Sequence, residues 1–139
     1  MQGPKDSVAK LLNVLFVCVG NSCRSQMAEA LANRLGQGRV RAWSAGSRPA
    51  GVISAVARNV MREEGLSMDG QSSKGLEEVP VAEMDIVVTM GCEVRCPMSK
   101  GFTGRLVEWN IPDPGDDLQL GREVRALIER QVRALLAEL

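Results

Sequence analysis

Residues 12–28, Leu-Asn-Val-Leu-Phe-Val-Cys-Val-Gly-Asn-Ser-Cys-Arg-Ser-Gln-Met-Ala, decide the fold. Leu12 to Val19 is a near-continuous apolar run rich in valine, the pattern of a strand covered on both faces inside a parallel sheet. Gly20-Asn21-Ser22 breaks the run. From Ser25 the apolar positions Met27, Ala28, Leu31 and Leu35 recur at helical spacing, until Gly36 and Gly38 end the segment. A buried strand therefore hands over to a helix through a tight loop. The unsatisfied N–H groups of such a loop and of the first helical turn, with the helix dipole behind them, cradle a tetrahedral oxyanion. Gly20 and Asn21 tolerate left-handed backbone there. Arg24 adds a planar, permanently charged fork able to hold two oxyanion oxygens at once. The same positive field stabilises a thiolate on Cys18. That help is needed, because a free thiol of pKa near 8.5 is only about 3% ionised at pH 7. Ser25, just past Arg24, can donate a hydroxyl hydrogen bond to the sulfur. The expected oxyanion site is thus Cys18, Val19, Gly20, Asn21, Ser22, Cys23, Arg24 and Ser25, with Cys23 read as a packing residue. The plainer alternative is a buried core cysteine beside a surface arginine.

Working outward, Val40 to Ala45 reads as a second strand, closed by Gly46 and the Pro49–Gly51 turn. A helix follows, with Ser54 as N-cap, a stripe of Val56, Val60 and Met61, and Gly65 where a C-cap glycine is wanted. A short helical turn is expected near Leu76–Val79. Asp85–Met90 and Arg105–Trp109 read as the third and fourth strands, with loop or short helix over Gly91–Gly104. Val124, Leu127, Ile128, Val132, Leu135 and Leu136 share one face of a terminal helix over Leu120–Leu139. Strands alternating with helices predict an α/β fold: one domain, a four-stranded mainly parallel sheet flanked by helices on both faces, with its site beyond the carboxyl ends of the strands. Residues 1–10 are expected to form a flexible N-terminal extension and 11–139 the single catalytic domain.

Composition removes whole classes of function. Seventeen Lys plus Arg against seventeen Asp plus Glu leaves zero formal charge, without the basic footprint of a duplex-binding protein. No nucleic acid partner is expected. There is no histidine, so Ser-His and Cys-His pairs and the commonest metal ligand are excluded. The apolar stretch over residues 11–20 is interrupted by Asn13 and lacks a small-x-small cleavage site, so it is not read as a secretory signal, and no run is long enough for a membrane span. A cytoplasmic monomer is expected, whose four cysteines are reduced, catalytic or metal-binding. The close pairs Cys18/Cys23 and Cys92/Cys96 would suit a structural zinc ion, a reading that leaves Arg24 and the strand-to-helix loop unexplained.

Val14-Leu15-Phe16-Val17-Cys18 through Arg24-Ser25-Gln26-Met27-Ala28-Glu29-Ala30 resembles the signature of the low-molecular-weight protein tyrosine phosphatase superfamily. The wording of Asn21 to Glu29 is most similar to its thioredoxin-coupled arsenate reductase branch. The likeness continues through Trp43-Ser44-Ala45-Gly46, Ile86-Val87-Val88-Thr89-Met90 and Trp109-Asn110-Ile111-Pro112-Asp113-Pro114. It implies a nucleophile at Cys18 and a general acid at Asp113 that protonates the leaving oxygen. Taken alone, Asp113-Pro114 is equally a turn opener.

The resemblance admits two activities, which differ in the fate of the covalent intermediate. A phosphatase hydrolyses it with water and needs one thiol. Reducing As(V) to As(III) consumes two electrons, which a second thiol supplies by forming a disulfide. Cys92 and Cys96 favour reduction, since residues four apart on a helix share a face within disulfide range. The expected relay runs Cys18, Cys92, Cys96, with thioredoxin or a similar dithiol as final reductant, arsenate as substrate, phosphate or sulfate as mimics, and no cofactor. Gly115 stands where the phosphatases carry tyrosine after Asp-Pro. Some reductases of the family bind potassium through Asn, Glu, Ser and Asp. Here Asn21, Glu29 and Ser44 are present with Lys74 at the Asp position, so no metal is expected. Arg48 and Arg95 are read either as guides for an anion or as solvated surface side chains.

Overall fold

Seven residues of the initial apolar run, Leu12–Cys18, form strand β1 in the computed structural model, which describes residues 11–91 and 101–139. The extension expected over 1–10, and Cys92, Arg95 and Cys96, lie outside the described residues. After β1 come α1 (Arg24–Leu35), β2 (Val40–Gly46), α2 (Ala55–Glu63), short 3-10 turns at Leu76–Glu78 and Val81–Glu83, β3 (Ile86–Met90), β4 (Arg105–Trp109) and α3 (Leu118–Ala137). Ser54 caps α2 as expected, accepting the Ala57 N–H at 2.9 Å. Helix α3 begins two residues before the expected Leu120, because the Asp117 carboxylate takes the Leu120 N–H at 3.0 Å and so starts the helix.

The sheet order is β2-β1-β3-β4, and all three pairings are parallel. From central β1 the chain runs to β2 on one side and then crosses to β3 on the other. The crevice outside the carboxyl ends of β1 and β3 is therefore a topological switch point, where open α/β sheets bind ligands. Cys18 closes β1 and Met90 closes β3 at this edge.

Alternate residues of β1 enter two cores. Val14, Phe16 and Cys18 join Met27, Leu31, Val60, Met61, Val124, Ile128 and Val132, so α1, α2 and α3 pack into one apolar cluster. Leu15 and Val17 turn the other way, toward Ala45, Val79, Met84 and Val87, and the 3-10 turns with Phe102 cover that smaller cluster. Both faces are covered, as a continuous apolar strand requires, but by layers of unequal depth. Phe16 is fully buried beneath Trp109, ring centroids 5.6 Å apart, a site where truncation to alanine costs about 3–5 kcal/mol. Trp43 sits at the rim, donating to Asn13 Oδ1 at 3.2 Å beneath the Arg41 guanidinium.

Candidate active site

The loop between β1 and α1 is held from outside by its carbonyls. Cys18 O accepts the Ser47 N–H, Val19 O the Arg48 N–H at 2.8 Å, Gly20 O the Ala50 N–H at 2.9 Å and Ser22 O the Ser54 N–H at 3.0 Å. Asn21 O accepts from Gln26 Nε2 at 3.0 Å. Across a planar trans peptide the N–H points opposite to the C=O. Anchoring these five carbonyls on the surrounding chain therefore turns the following amides toward the inside of the loop, where they form an anion-binding concavity. Gly46 permits the close approach: a Cβ there would stand 2.6 Å from Val19 O and 2.9 Å from Asn21 N. Of the two residues that tolerate left-handed backbone here, Asn21 adopts it, at φ 45°. Gly20 does not, because the one left-handed residue already closes the loop.

Cys18 is buried, its Sγ 3.0 Å from Ser25 Oγ. The donor in this contact follows from the neighbours. Ser25 Oγ accepts from Asn21 Nδ2 at 2.8 Å, so its own hydrogen is free to point at the sulfur, as a thiolate requires. The Asn21 amide is oriented in turn by the Lys74 backbone N–H, which donates to Oδ1 at 2.8 Å.

Arg24 crosses the switch point. Its Nη1 donates to Met90 O at 2.9 Å, at the end of β3, and to Ile111 O at 3.0 Å, two residues beyond β4. Those carbonyls aim the fork, while Nε is buried without a partner among the described residues. A guanidinium edge pinned on one side and unsatisfied on the other is a vacant donor for an oxyanion. Gly91, at φ 77°, leaves room for it: a Cβ there would lie 3.1 Å from Arg24 Nη1. Asp113 Oδ2 stands 4.0 Å from Arg24 Nη2 with its side chain 64% exposed. Its Oδ1 accepts the Gly115 N–H at 3.1 Å, so Asp113 is the turn opener and also reaches the site. Cys18, Gly20, Ser22, Cys23, Arg24, Ser54, Asp113, Gly115 and Asp116 line one cavity of about 220 Å³.

Cys23 faces the same cavity, yet burial pushes its thiol up to about 11, outweighing a hydrogen bond with Ser54. It stays protonated at neutral pH, consistent with packing. Beside the loop, burial raises the Glu29 carboxyl, while the Ser44 hydroxyl, 2.5 Å away, and the Lys74 charge pull it back. The Lys74 ammonium itself donates to Ser72 O at 2.7 Å. Arg48 is exposed and serves the loop through its backbone alone. Among the described residues no group of three or more potential ligands could hold a metal ion, and no helix is long and apolar enough to cross a membrane.

Sequence reasoning missed the anchors of the loop: the carbonyls of Met90 and Ile111, residues Gln71 to Ser73 with the backbone of Lys74, and the contacts of Gln26. Only Gln26 left a signal, as a polar residue in a helical stretch whose neighbours Met27, Ala28 and Leu31 are apolar.

The low molecular weight phosphotyrosine protein phosphatase family profile matches residues 13–139. The chain is 36% identical over 129 residues to the glutaredoxin arsenate reductase of Synechocystis sp., covering 91% of this chain and 97% of that protein. Among solved structures, an arsenate reductase in the phosphate binding state superposes with a TM-score of 0.84 at 34% identity, over 92% of this chain and 98% of the other. A thioredoxin-dependent arsenate reductase from Corynebacterium glutamicum superposes with a TM-score of 0.79 at 30% identity, over 96% of this chain and 70% of that one.

Proposed function

This chain belongs to the low molecular weight phosphotyrosine protein phosphatase family, and from that premise we propose that it is an arsenate reductase working through a Cys18-Cys92-Cys96 thiol relay. The observation that carries the reading is the loop itself: Cys18 Sγ under the Ser25 hydroxyl, beside an Arg24 guanidinium that two backbone carbonyls aim and whose Nε has no hydrogen-bond partner among the described residues. That arrangement binds a tetrahedral oxyanion with a sulfur nucleophile beneath its central atom.

The Cys18 thiolate attacks As(V), forming a sulfur–arsenic bond as an arsenate oxygen departs, protonated by Asp113. Arg24 and the inward loop amides hold the remaining oxygens and the charge that develops on them. Cys92 then attacks Cys18 Sγ as a thiolate. The sulfur–arsenic bond breaks with its electron pair on arsenic, which leaves as arsenite, and a Cys18–Cys92 disulfide remains. Cys96 attacks the Cys92 sulfur, restoring the Cys18 thiolate and leaving Cys92–Cys96 oxidised. An external dithiol returns the two electrons. Relatives named for glutaredoxin and for thioredoxin support a dithiol protein as reductant.

The test is arsenate-dependent NADPH oxidation, coupled in parallel to a thioredoxin system and a glutaredoxin system, beside aryl phosphate hydrolysis. Turnover is expected with at least one system, and Cys96→Ser is expected to stop after one arsenite per enzyme. Sustained turnover in that variant would remove the relay. Rapid aryl phosphate cleavage that needs neither Cys92 nor Cys96, with no response to arsenate, would make the protein a phosphatase.

A further inference from the structure

We propose that Gln26 and Gln71 are positioning residues that, through Asn21 and Ser25, drive a one-way chain of hydrogen bonds onto the Cys18 sulfur and hold it as a thiolate. The chain is built of four contacts. Gln71 Nε2 donates to Gln26 Oε1 at 2.8 Å, Gln26 Nε2 to Asn21 Oδ1 at 2.9 Å, Asn21 Nδ2 to Ser25 Oγ at 2.8 Å, and Ser25 Oγ meets Cys18 Sγ at 3.0 Å.

Backbone groups fix the direction of every link. Ser72 O and Asn21 O only accept; Ser72 O takes one hydrogen of the Gln26 amide nitrogen at 2.9 Å, and the two Asn21 oxygens share the other, O at 3.0 Å and Oδ1 at 2.9 Å. That turns Gln26 Oε1 toward Gln71. The Gln26 carbonyl accepts the Gln71 nitrogen at 3.1 Å, which orients the second amide. The Lys74 N–H only donates, so Asn21 presents its oxygen to Lys74 and its nitrogen to Ser25. The single Ser25 hydrogen is then free for the sulfur, 3.0 Å away.

Hydrogen bonds in series polarise one another, by roughly 10–30% per bond, and donation to a charged form favours that form. Asn21, Ser25 and Gln26 are all 0% exposed, so little solvent competes. The chain begins at Gln71, on the segment that also binds Gly46 N through Lys74 O. A strap far from the loop in sequence thus tunes the nucleophile without touching it.

The proposal rests on Cys18 being the nucleophile, and it is tested without arsenate or reductant, so its failure is separable from failure of the reductase reading. In a Cys92→Ser/Cys96→Ser background, the rate of iodoacetamide alkylation at Cys18, identified by peptide mass, is followed from pH 5 to 9. Gln71→Met and Gln26→Met are each expected to slow alkylation about 2–5-fold at pH 6 and to leave it unchanged at pH 9. Because the links act in series, the double variant should lose no more than Gln26→Met alone. Unchanged profiles, losses that multiply in the double variant, or equal slowing at every pH would overturn the proposal and leave the two glutamines as loop supports. Should Gln26→Met fail to fold, half-buried Gln71 carries the test through Gln71→Met and Gln71→Glu, whose carboxylate accepts but does not donate. Both must slow alkylation at pH 6 and spare it at pH 9 for the proposal to stand.

Discussion

Residues 18–25 and residues 110–117 face each other across one cavity and are built in opposite ways. The first loop has its carbonyls tied to neighbouring chain, and its polar side chains Asn21, Arg24 and Ser25 are buried. The second presents Asp113 on an exposed turn, held by one backbone N–H and a 4.0 Å approach to Arg24. The contrast fits the roles proposed for Cys18 as nucleophile and Asp113 as proton donor. A nucleophile and its oxyanion donors gain from preorganisation, because fixed dipoles need no reorganisation at the moment of reaction. A group that must gain and lose a proton needs contact with water.

The contrast is broken most severely at Arg24. Arg24→Lys leaves one nitrogen to serve Met90 O, Ile111 O and the oxyanion together, so kcat/KM for arsenate should fall on the order of 10³-fold. Steady-state kinetics on the folded variant read this directly, and a loss below tenfold would mean that the aimed fork contributes little. At the opposite loop, Asp113→Asn removes the proton donor and leaves both buried cores untouched. A loss in kcat of about 10²-fold with unchanged thermal stability is expected. A parallel fall in stability would make Asp113 a turn residue only.

The smallest effect sharpens the comparison beside the first loop. Burial raises Glu29, so the folded chain holds that proton more tightly than the unfolded chain does. The native state is therefore favoured at low pH, and this contribution is lost as pH climbs from the ordinary 4.5 through the raised value. Thermal melts should show Glu29→Gln gaining on the parent protein across that window, and level with it below. Lys74 already supplies a positive charge to Glu29, so added potassium should move neither curve. A potassium-dependent rise in the parent's melting temperature would show that the ammonium does not stand in for a cation.

Much of this was legible before any coordinates. The run from Leu12 to Cys18, the break at Gly20-Asn21-Ser22 and the periodicity from Met27 to Leu35 place strand, loop and helix within a residue of where they lie. The placing of Cys18 and Arg24 at the two ends of that loop follows, since a strand-to-helix turn is local physics. Two residues tolerate left-handed backbone in this loop, and only the closed loop shows which of them adopts it. Apart from the Lys74 charge, the strap at Gln71 to Lys74 was invisible because its mixed, polar composition has no periodicity, and its role depends on what it lies against.

The sequence by itself determined the elements, the parallel α/β class and the identity of the loop residues. Apolar period, glycine and caps act over a few neighbouring residues, and their energies do not wait for the rest of the chain. Only the tertiary structure decided which backbone groups complete the site. Arg24 meets Ile111 O across 87 residues, and Gln26 meets Ser72 O across 46. A carbonyl is the same in every residue, so its chemistry depends on where parallel register and the switch point between β1 and β3 bring it.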